Sequence, residues 1–216
     1  MPPHVRPHED PLKPLHSRSW LTEARRKAIH LSFMVLPLDL LFEVLPWPRG
    51  KREWRLLLIT LCLGAIALDL LRIHEQRVRQ FFREFFGRMI REHEQFSLMG
   101  STYLLIASLL AIEIFSREVA AAAIGYTVVG DAFAAMVGKA WGRHPFFRKT
   151  LEGALGGLAA CLAWGALLAA TGRLPWSVAI AGAIAASLVE LLPIPLDDNL
   201  GMTLVAGYVM KLIAAP

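Results

Sequence analysis

An aspartate inside an apolar segment, followed by glycines and cations, is the part of this sequence that most clearly predicts chemistry. Asp131 lies in the apolar run Glu118–Gly138, where an unpaired carboxylate is costly and is therefore a candidate functional group. Gly138 and Gly142 follow, and they allow a backbone or a ligand to approach closely. The segment Lys149–Gly153 then adds a lysine, a threonine and a glutamate. Lysine suits a polyphosphate and carboxylates suit its magnesium ion, so the stretch predicts a polyphosphate site.

A second set of acids follows a later apolar run. Glu190 and the triplet Asp197–Asn199 lie on either side of the short Pro193–Pro195 turn. Acids between prolines are usually solvated, but beside a cation-rich loop they could hold a metal ion or activate a hydroxyl group. Other polar residues stand near the ends of further apolar runs, and these are Arg26, Lys27, His30, Asp69, Arg72, Arg91, Glu92 and Glu94.

Each of these features also has an ordinary structural explanation. Asp131 could form a buried ion pair with a neighbouring arginine, and Thr150 could be the N-cap of the next helix. Gly138 and Gly142 have the spacing of a small-x-x-x-small pair, which by itself more often serves packing. We favour the functional interpretation because glycines, cations and acids occur together in one short stretch.

The composition predicts a helical membrane protein. Hydrophobic residues make up 55% of the 216 residues and the mean hydropathy is +0.46, which is too apolar for an ordinary soluble domain. Helices and closed barrels satisfy backbone hydrogen bonds in lipid, and the alternation typical of barrel strands is absent. We therefore expect an all-α, polytopic bundle of about seven spans. The predicted spans are Ala28–Leu45, Trp54–Leu71, Leu98–Phe115, Glu118–Gly138, Gly153–Thr171, Pro175–Leu192 and Leu200–Ile213.

The distribution of positive charge predicts the orientation. With the N-terminus inside, 16 of the 23 Lys and Arg residues fall on the cytoplasmic side, and this bias favours that topology. It also brings the polar groups named above to the cytoplasmic ends of the spans. Basic loops that face anionic lipid explain the formal charge of +5, so we expect no nucleic-acid partner. Residues 1–24, with five prolines, are predicted to form a disordered tail, and residues 25–216 the membrane domain.

The loop between the second and third spans has a helical pattern of its own. Between Arg72 and Ser97, apolar residues recur at helical spacing with arginines between them. This pattern predicts a basic amphipathic helix that lies in the membrane interface. Such a helix could be only a surface anchor, or it could flank the entry of a lipid substrate.

The motifs in order resemble those of one family, the dolichol kinase / phytol kinase / CTP-dependent diacylglycerol kinase family. The resemblance extends over residues 25–212 and is carried by Arg26-Lys27-x-x-His30, Asp69-x-x-Arg72, Arg91-Glu92-x-Glu94, Gly130-Asp131 with Gly138 and Gly142, Lys149-Thr150-x-Glu152-Gly153, and Glu190 with Asp198-Asn199. The part from Asp131 to Gly153 is also similar to phosphatidate cytidylyltransferase. The long C-terminal signature associated with that enzyme is missing from this sequence, which favours the kinases.

The resemblance implies CTP-dependent transfer of a phosphoryl group to the hydroxyl of a membrane lipid alcohol, with Mg²⁺ as cofactor. It implies that Asp131 holds the magnesium ion with Glu152 or Asp198, and that Glu190 or Asp198 accepts the hydroxyl proton. Lys149 completes the expected catalytic set. The residues expected to bind the nucleotide and its phosphates are Arg26, Lys27, His30, Gly138, Lys139, Gly142, Arg148, Thr150, Gly153 and Asn199. Those expected to form or support the lipid site are Asp69, Arg72, Arg91, Glu92 and Glu94.

Two other functions stay open at this point. A cytidylyltransferase would leave CMP on the lipid and release pyrophosphate, whereas a non-enzymatic lipid transporter would form no phosphate ester. The acceptor could be polyprenol (dolichol), phytol, farnesol or diacylglycerol, and only the resemblance distinguishes CTP from ATP. We expect a multi-pass protein of a bacterial inner membrane with a cytoplasmic N-terminus.

Overall fold

The chain folds into a bundle of α-helices with one short hairpin. The computed structural model describes residues 20–86 and 96–214. The helices are α1 (Trp20–Ser32), α2 (Val35–Phe42), α3 (Gly50–His74), α4 (Gln76–Phe86), α5 (Gly100–Ile114), α6 (Arg117–Trp141), α7 (Leu151–Ala170), α8 (Trp176–Leu191) and α9 (Asp198–Ala214). Between α6 and α7, β1 (Pro145–Phe146) pairs antiparallel with β2 (Lys149–Thr150). The all-α prediction is confirmed, although the sequence analysis does not predict this hairpin.

Among the described residues, three helices are long and apolar enough to cross a membrane, namely α3, α6 and α7. α5 and α8 are also apolar but have only 15 and 16 residues. Such helices extend over roughly 22–24 Å, less than the ~30 Å of a hydrocarbon core. The chain has the features of a helical membrane protein, whereas the count of seven spans stays a prediction.

The first predicted span is wrong, because Ala28–Leu45 is not one helix. A break at residues 33–34 separates α1 from α2. Pro37 explains the break, since its ring has no N–H to donate and would clash with the carbonyl group four residues earlier in a continuous helix. The chain bridges the gap with a tighter turn, in which the N–H of Leu36 donates to the carbonyl oxygen of Phe33 over 3.1 Å.

Two further predictions differ from the structure at their boundaries. Residues 20–24, which the sequence analysis assigns to the disordered tail, belong to α1. The amphipathic pattern forms α4, and the remainder of that pattern at residues 87–95 lies outside the described residues. Residues 1–19 lie outside them as well, and so do three predicted site residues, Arg91, Glu92 and Glu94.

α6 is the central helix of the bundle. Most of its apolar stretch is buried, whereas most of that of α3 is not, so α6 forms the core and α3 lies at the periphery. Residues 120–124 are fully buried, and their mostly small side chains let neighbouring helices approach closely. α6 contacts α1, α2, α5, α7, α8 and α9. A carboxylate at position 131 is therefore within reach of several elements at once.

Glycines set the distance between α6 and α7. A Cβ atom on Gly153 would lie 2.8 Å from the carbonyl oxygen of Ala134, and one on Gly157 would lie 3.0 Å from that of Gly130. Contacts this short leave little or no room for a side chain, so the packing depends on glycine. The start of α7 is thereby held against the turn of α6 that carries Asp131.

Candidate functional site

Asp131 is paired with a buried lysine from α1. Lys27 Nζ donates to Asp131 Oδ2 over 2.5 Å, and His30 Nε2 lies 3.4 Å from the same oxygen. Lys27 is fully buried, whereas the side chain of Asp131 is 14% exposed. A close ion pair offsets part of the cost of removing each charge from water, and this one joins residues 104 positions apart. Asp131, which is expected to hold magnesium, and Lys27, which is expected to bind phosphate, are thus neighbours.

A second lysine joins two further acids. Lys149 Nζ lies 3.1 Å from Glu190 Oε1 and 3.1 Å from Asp198 Oδ2, and it also donates to the backbone carbonyl of Glu190. The side chain of Glu190 is 9% exposed, and those of Lys149 and Asp198 are 27% and 34% exposed. The contacts bring together β2, the end of α8 and the start of α9. The group is open to a ligand on its Lys149–Asp198 side.

The hairpin explains how Lys149 reaches these acids. In the tight turn between β1 and β2, Phe146 pairs with Lys149, and Phe147 takes a left-handed conformation with φ 51°. Thr150 ends the hairpin and is the N-cap of α7, because its hydroxyl accepts from the N–H of Gly153 over 3.2 Å. Lys149 therefore projects from a defined turn that is joined directly to a helix.

The two groups form one cluster. Glu190 interacts electrostatically with Asp131 and Asp198 as well as with Lys149. The name acid–lysine cluster is used below for Lys27, His30, Asp131, Lys149, Glu190 and Asp198. Its three carboxylates face two lysines, so its members carry more negative than positive charge when the histidine is neutral. Such a cluster favours the binding of a proton or of another cation.

Asn199 lies next to the acid–lysine cluster at the start of α9. Its Nδ2 donates to the backbone carbonyl of Gly100 over 3.1 Å, and its N–H donates to Asp197 Oδ1 over 2.9 Å. Its Oδ1 is buried and has no hydrogen-bond partner among the described residues. An unsatisfied buried acceptor is costly, so a ligand that brings a donor group or a cation would relieve that cost.

Glu152 is engaged by the loop that precedes it. Its Oε2 accepts from the backbone N–H groups of Arg143 and His144 over 3.0 and 3.2 Å, and its Oε1 lies 2.5 Å from His144 Nδ1. These bonds tie the hairpin to the first turn of α7, and the assignment of Glu152 to a metal ion stays a prediction. His144 is not among the predicted site residues, because a histidine in a polar loop has no distinguishing pattern in the sequence.

Gly138 and Gly142 contact the same threonine. A Cβ atom on Gly138 would lie 2.9 Å from Thr150 Oγ1, and one on Gly142 would lie 2.8 Å from it. The packing explanation considered for these glycines therefore applies in this structure. A contact between phosphate and Gly138, Gly142, Thr150 or Gly153 stays a prediction.

The remaining predicted cations lie on α1, near the end of α6 and in the hairpin turn. Arg26 forms an ion pair with Glu23, one turn before it on α1. Lys139 is half-buried near the end of α6, and Arg148 is exposed in the hairpin turn. The sequence analysis misses Glu23 because it assigns that residue to the disordered tail, although the spacing of three between an acid and an arginine is a helical signal.

Asp69 and Arg72 form a separate buried pair between α3 and α5. Arg72 Nη2 donates to Asp69 Oδ1 over 3.0 Å. Asp69 is fully buried and Arg72 is 2% exposed, so neither side chain presents a surface to a lipid in this structure. Of the two roles expected for this pair, the supporting one fits its position better than a direct lipid contact.

The oxygen donors of the cluster suit a hard cation such as Mg²⁺. Residues 20–86 and 96–214 contain no group of three or more His, Cys, Asp and Glu side chains arranged to hold a metal ion. Magnesium does not require such a group, because it is usually bound by one or two carboxylates together with substrate phosphates and water. Asp131, Glu190 and Asp198 supply carboxylate oxygens, and Asn199 supplies its unsatisfied Oδ1. The chemistry of these residues therefore fits magnesium.

Two apolar grooves run along α7. One lies between α6 and α7, has a volume of about 500 Å³ and is lined in part by Phe133 and Trp164. The other lies between α7 and α8, with a volume of about 310 Å³, and its lining includes Leu151 and Leu191. Grooves with apolar linings of this kind can bind a hydrocarbon chain. The second groove ends near the acid–lysine cluster, since Leu191 directly follows Glu190 in the chain.

Comparison with known proteins finds a family and one weaker relative. A model described as "Cytidylyltransferase family" matches residues 19–194. An uncharacterized protein of Rickettsia prowazekii (strain Madrid E) is 28% identical over 119 residues, which cover 54% of this chain and 55% of that protein. The chain thus matches about half the length of this curated relative. No solved structure matches.

Proposed function

Because the chain belongs to the cytidylyltransferase family, we propose that it transfers the γ-phosphoryl group of CTP to the hydroxyl of a membrane lipid alcohol. Membership of this family supports the coarser statement that the chain is a CTP-utilising enzyme that modifies lipids, since the family includes relatives of dolichol kinase and CDP-diacylglycerol synthase. The apolar helices α3, α6 and α7 agree with a substrate in the bilayer. The type of group transferred and the nature of the acceptor are the proposal.

The convergence of acids and lysines from distant parts of the chain carries this proposal. The members of the acid–lysine cluster come from α1, α6, β2, α8 and α9 and meet at one end of the bundle. Phosphoryl transfer requires positioning and charge neutralisation more than covalent chemistry by the protein. Lysines can neutralise phosphate oxygens, while carboxylates can serve a metal ion and an acceptor hydroxyl.

The proposed step is one displacement at the γ-phosphorus of CTP. The acceptor oxygen bonds to that phosphorus, the bond from it to the β,γ-bridging oxygen breaks, and CDP leaves with the bridging oxygen. The hydroxyl proton passes to the carboxylate of Glu190 or Asp198. In the structure Lys149 lies 3.1 Å from both acids. Carboxylate and phosphate oxygens are both anionic acceptors, so Lys149 can bind a phosphate oxygen of CTP instead of these carboxylates.

Magnesium, when bound, supplies neutralisation of the charge on the nucleotide phosphates. Asp131 and Asp198 are the residues that would hold it, with Asn199 Oδ1 as a further oxygen donor. Lys27 donates to the Asp131 carboxylate from the side of α1 and so orients it, while His30 Nε2 lies 3.4 Å from the same oxygen and has no hydrogen-bond partner among the described residues.

Cytidylyl transfer to a lipid phosphate is the second candidate, and the description of the family favours it. In that reaction a lipid phosphate oxygen attacks the α-phosphorus of CTP and pyrophosphate leaves. A phosphomonoester is already ionised near neutral pH and needs no base, and nearby carboxylates repel it. A hydroxyl acceptor does need a proton acceptor. The buried Glu190 beside Lys149 therefore supports the kinase reaction over the cytidylyl transfer.

Position-specific labels in CTP separate these reactions. Purified protein in lipid nanodiscs receives CTP labelled on the α- or the γ-phosphate, magnesium, and either a lipid alcohol or phosphatidate. We expect the γ-label in the lipid and unlabelled CDP as the other product. Label from the α-phosphate in the lipid, with release of pyrophosphate, would replace the kinase proposal by the second candidate.

A panel of substrates identifies the donor and the acceptor. Each of the four nucleoside triphosphates is combined with polyprenol, phytol, farnesol or diacylglycerol, and the products are resolved by mass. We expect CTP to be preferred, and one class of alcohol to dominate because the grooves beside α7 have a fixed size. Movement of lipid between vesicles without nucleotide, and without a new phosphate ester, would favour a transporter instead.

The proposed topology has the N-terminus and the acid–lysine cluster on the cytoplasmic side of a bacterial inner membrane. The excess of Lys and Arg on that side supports it. Cys62 and Cys161 are both buried, so a cysteine introduced at exposed Arg148 would be the accessible thiol. An impermeant thiol reagent should label Arg148→Cys in inverted vesicles and not in intact cells. Labelling in intact cells would contradict the orientation.

A further inference from the structure

We infer that Asp69, Arg72 and Thr102 are positioning residues, which fix the start of α5 and through it hold Asp198 in the acid–lysine cluster and Asn199 beside it. The functional part of this inference rests on the proposed function, because it concerns the same site. The structural part concerns a coupling between α3, α5 and α9 and can be measured without any reaction.

The first step is the contact between Asp69 and the beginning of α5. Asp69 Oδ2 accepts from the N–H of Met99 over 2.9 Å and from the hydroxyl of Thr102 over 2.7 Å. Met99 is the N-cap residue of α5 and makes no capping bond with its own side chain. The carboxylate from α3 therefore accepts from the backbone N–H of the N-cap residue, as the carboxylate at the third helical position does in a capping box.

Arg72 completes this arrangement. Its Nη2 donates to Asp69 Oδ1 over 3.0 Å and to the carbonyl oxygen of Ser97 over 2.7 Å. Both oxygens of the Asp69 carboxylate are thus used, and the carboxylate and the guanidinium are buried together. Because a buried charge without partners is costly, this network leaves residues 97–102 little freedom to move.

The second step leads from α5 to α9. Gly100, the first residue of α5, accepts from Asn199 Nδ2 over 3.1 Å through its backbone carbonyl. The hydroxyl of Thr203 donates to the carbonyl oxygen of Asn199 over 2.7 Å and lies 2.8 Å from the hydroxyl of Thr127 on α6. The first turn of α9 is therefore attached to α5 on one side and to α6 on the other.

The third step reaches the cluster itself. Asp198 directly precedes Asn199, and its Oδ2 lies 3.1 Å from Lys149 Nζ. A shift of the first turn of α9 changes this distance directly. Reaction rates depend steeply on such geometry, and a misplacement of about 1 Å can lower a rate on the order of a hundredfold. The orientation of Asp198 is thus linked to a carboxylate on α3 that lies outside the cluster.

A conservative set of variants tests the link at Thr102. Thr102→Val removes the hydroxyl that donates to Asp69 and keeps the side-chain volume, while Thr102→Ser keeps the hydroxyl. Ser108→Ala is the matched control, because Ser108 is buried on the same helix and its Oγ has no hydrogen-bond partner among the described residues. All three changes are small, so each variant should fold and insert.

Amide hydrogen exchange gives the readout that does not depend on any reaction. In the native structure the N–H of Asn199 donates to Asp197 Oδ1, and the N–H of Gly201 donates to the carbonyl oxygen of Asp197. We expect Thr102→Val to accelerate exchange of these two amides by up to about tenfold, as for the loss of one hydrogen bond. Ser108→Ala and Thr102→Ser should leave it unchanged. Unchanged exchange in Thr102→Val would overturn the coupling.

Kinetics with CTP and lipid alcohol test the functional part through a double-mutant cycle. We expect Thr102→Val to lower kcat about tenfold or more in the native background and to have almost no further effect beside Asp198→Asn. A merely destabilising change would reduce active protein by the same factor in both backgrounds, so equal factors would overturn the positioning role. If the unaltered protein transfers neither phosphoryl nor cytidylyl groups, the proposed function fails, and the exchange experiment still decides the coupling.

Discussion

Acids at the two ends of the bundle have different surroundings. At one end, Asp39 is 1% exposed and accepts from Trp54 Nε1 over 2.7 Å and from the N–H of Leu45 over 2.6 Å. Both of its oxygens are used by neutral donors. At the other end, Asp131 pairs with Lys27, keeps 14% exposure, and interacts electrostatically with a second acid.

The balance of charge differs in the same way. At the Asp39 end, the ion pairs Arg117–Glu43 and Arg55–Glu113 each join one cation to one acid. In the acid–lysine cluster three acids share two lysines and a histidine. An acid whose two oxygens already accept hydrogen bonds, in a region where each other acid is paired with a cation, stabilises the fold and has few acceptor positions for a ligand. An excess of acids that keeps some exposure retains the capacity to bind a cation or a proton.

The largest expected effect is the loss of activity in Asp131→Asn. The amide keeps the size of the side chain but removes its charge, so we expect the turnover number to fall on the order of a hundredfold to a thousandfold. Asp39→Asn is the control, and it should lower the thermal midpoint while the folded protein keeps its turnover number. The comparison between the two ends breaks down if Asp131→Asn turns over at the native rate.

Lys149→Met should reduce both activity and stability. We expect turnover to fall on the order of a hundredfold, because a phosphate ligand is lost. Stability should fall by about 2–3 kcal/mol, since Glu190 loses its partner at a partly solvated site. Adding Glu190→Gln should restore much of the stability without restoring activity, as measured by thermal unfolding in detergent and by labelled CTP. Recovery of activity in the double variant would show that the pair is structural.

The closely packed Gly153 at the start of α7 should tolerate a side chain less well than the exposed Gly64 on α3. Gly153→Ala places a Cβ atom 2.8 Å from the carbonyl oxygen of Ala134, so we expect a loss of about 1–3 kcal/mol. Gly64→Ala on α3 is the matched control, because no atom lies within 4 Å of its Cβ position, and the higher helix propensity of alanine should stabilise the protein by about 0.5–1 kcal/mol. Thermal unfolding of both variants in the same detergent decides this. Equal midpoints would contradict close packing of α6 on α7.

The smallest expected effect concerns the Asp39 end and involves stability alone. Trp54→Phe removes the indole N–H and leaves Asp39 Oδ2 without that donor, at a cost of about 1–2 kcal/mol. Activity per folded molecule should be unchanged, because Asp39 does not belong to the acid–lysine cluster. Turnover measured well below the thermal midpoint provides the check. A large drop in turnover would mean that the two ends are coupled and that the comparison is too simple.

The helices near the cluster are predicted well by local pattern. The predicted span Glu118–Gly138 corresponds to α6 and the predicted span Gly153–Thr171 to α7, with boundaries within three residues. Apolar length and helix ends are properties of neighbouring residues, so the sequence displays them directly. The first span is the exception, because its apolar residues are continuous in the sequence whereas Pro37 prevents a continuous helix across residues 33–34.

The roles of site residues that depend on contacts with other helices or loops are predicted less completely. The sequence selects Asp131 and Lys27 but not their pairing, and it selects Glu152 without its partner His144. It places Asp69 and Arg72 among the residues that form or support the lipid site, and the structure adds that both are buried and that Asp69 binds the start of α5. Conversely, it marks Asn199 as a nucleotide ligand, and the structure adds the contact with Gly100 that holds it. In each case the missing partner belongs to another helix or to a loop.

The sequence by itself determined the helical membrane class, most of the apolar helices, and the kinds of residue available for chemistry, because these follow from composition and from spacing within a few turns. Only the tertiary structure decided which acid faces which lysine. Lys27 meets Asp131 across 104 positions, and Lys149 meets Asp198 across 49. Contacts over such separations arise from the packing of whole helices, which glycines such as Gly153 permit, and no local pattern encodes them.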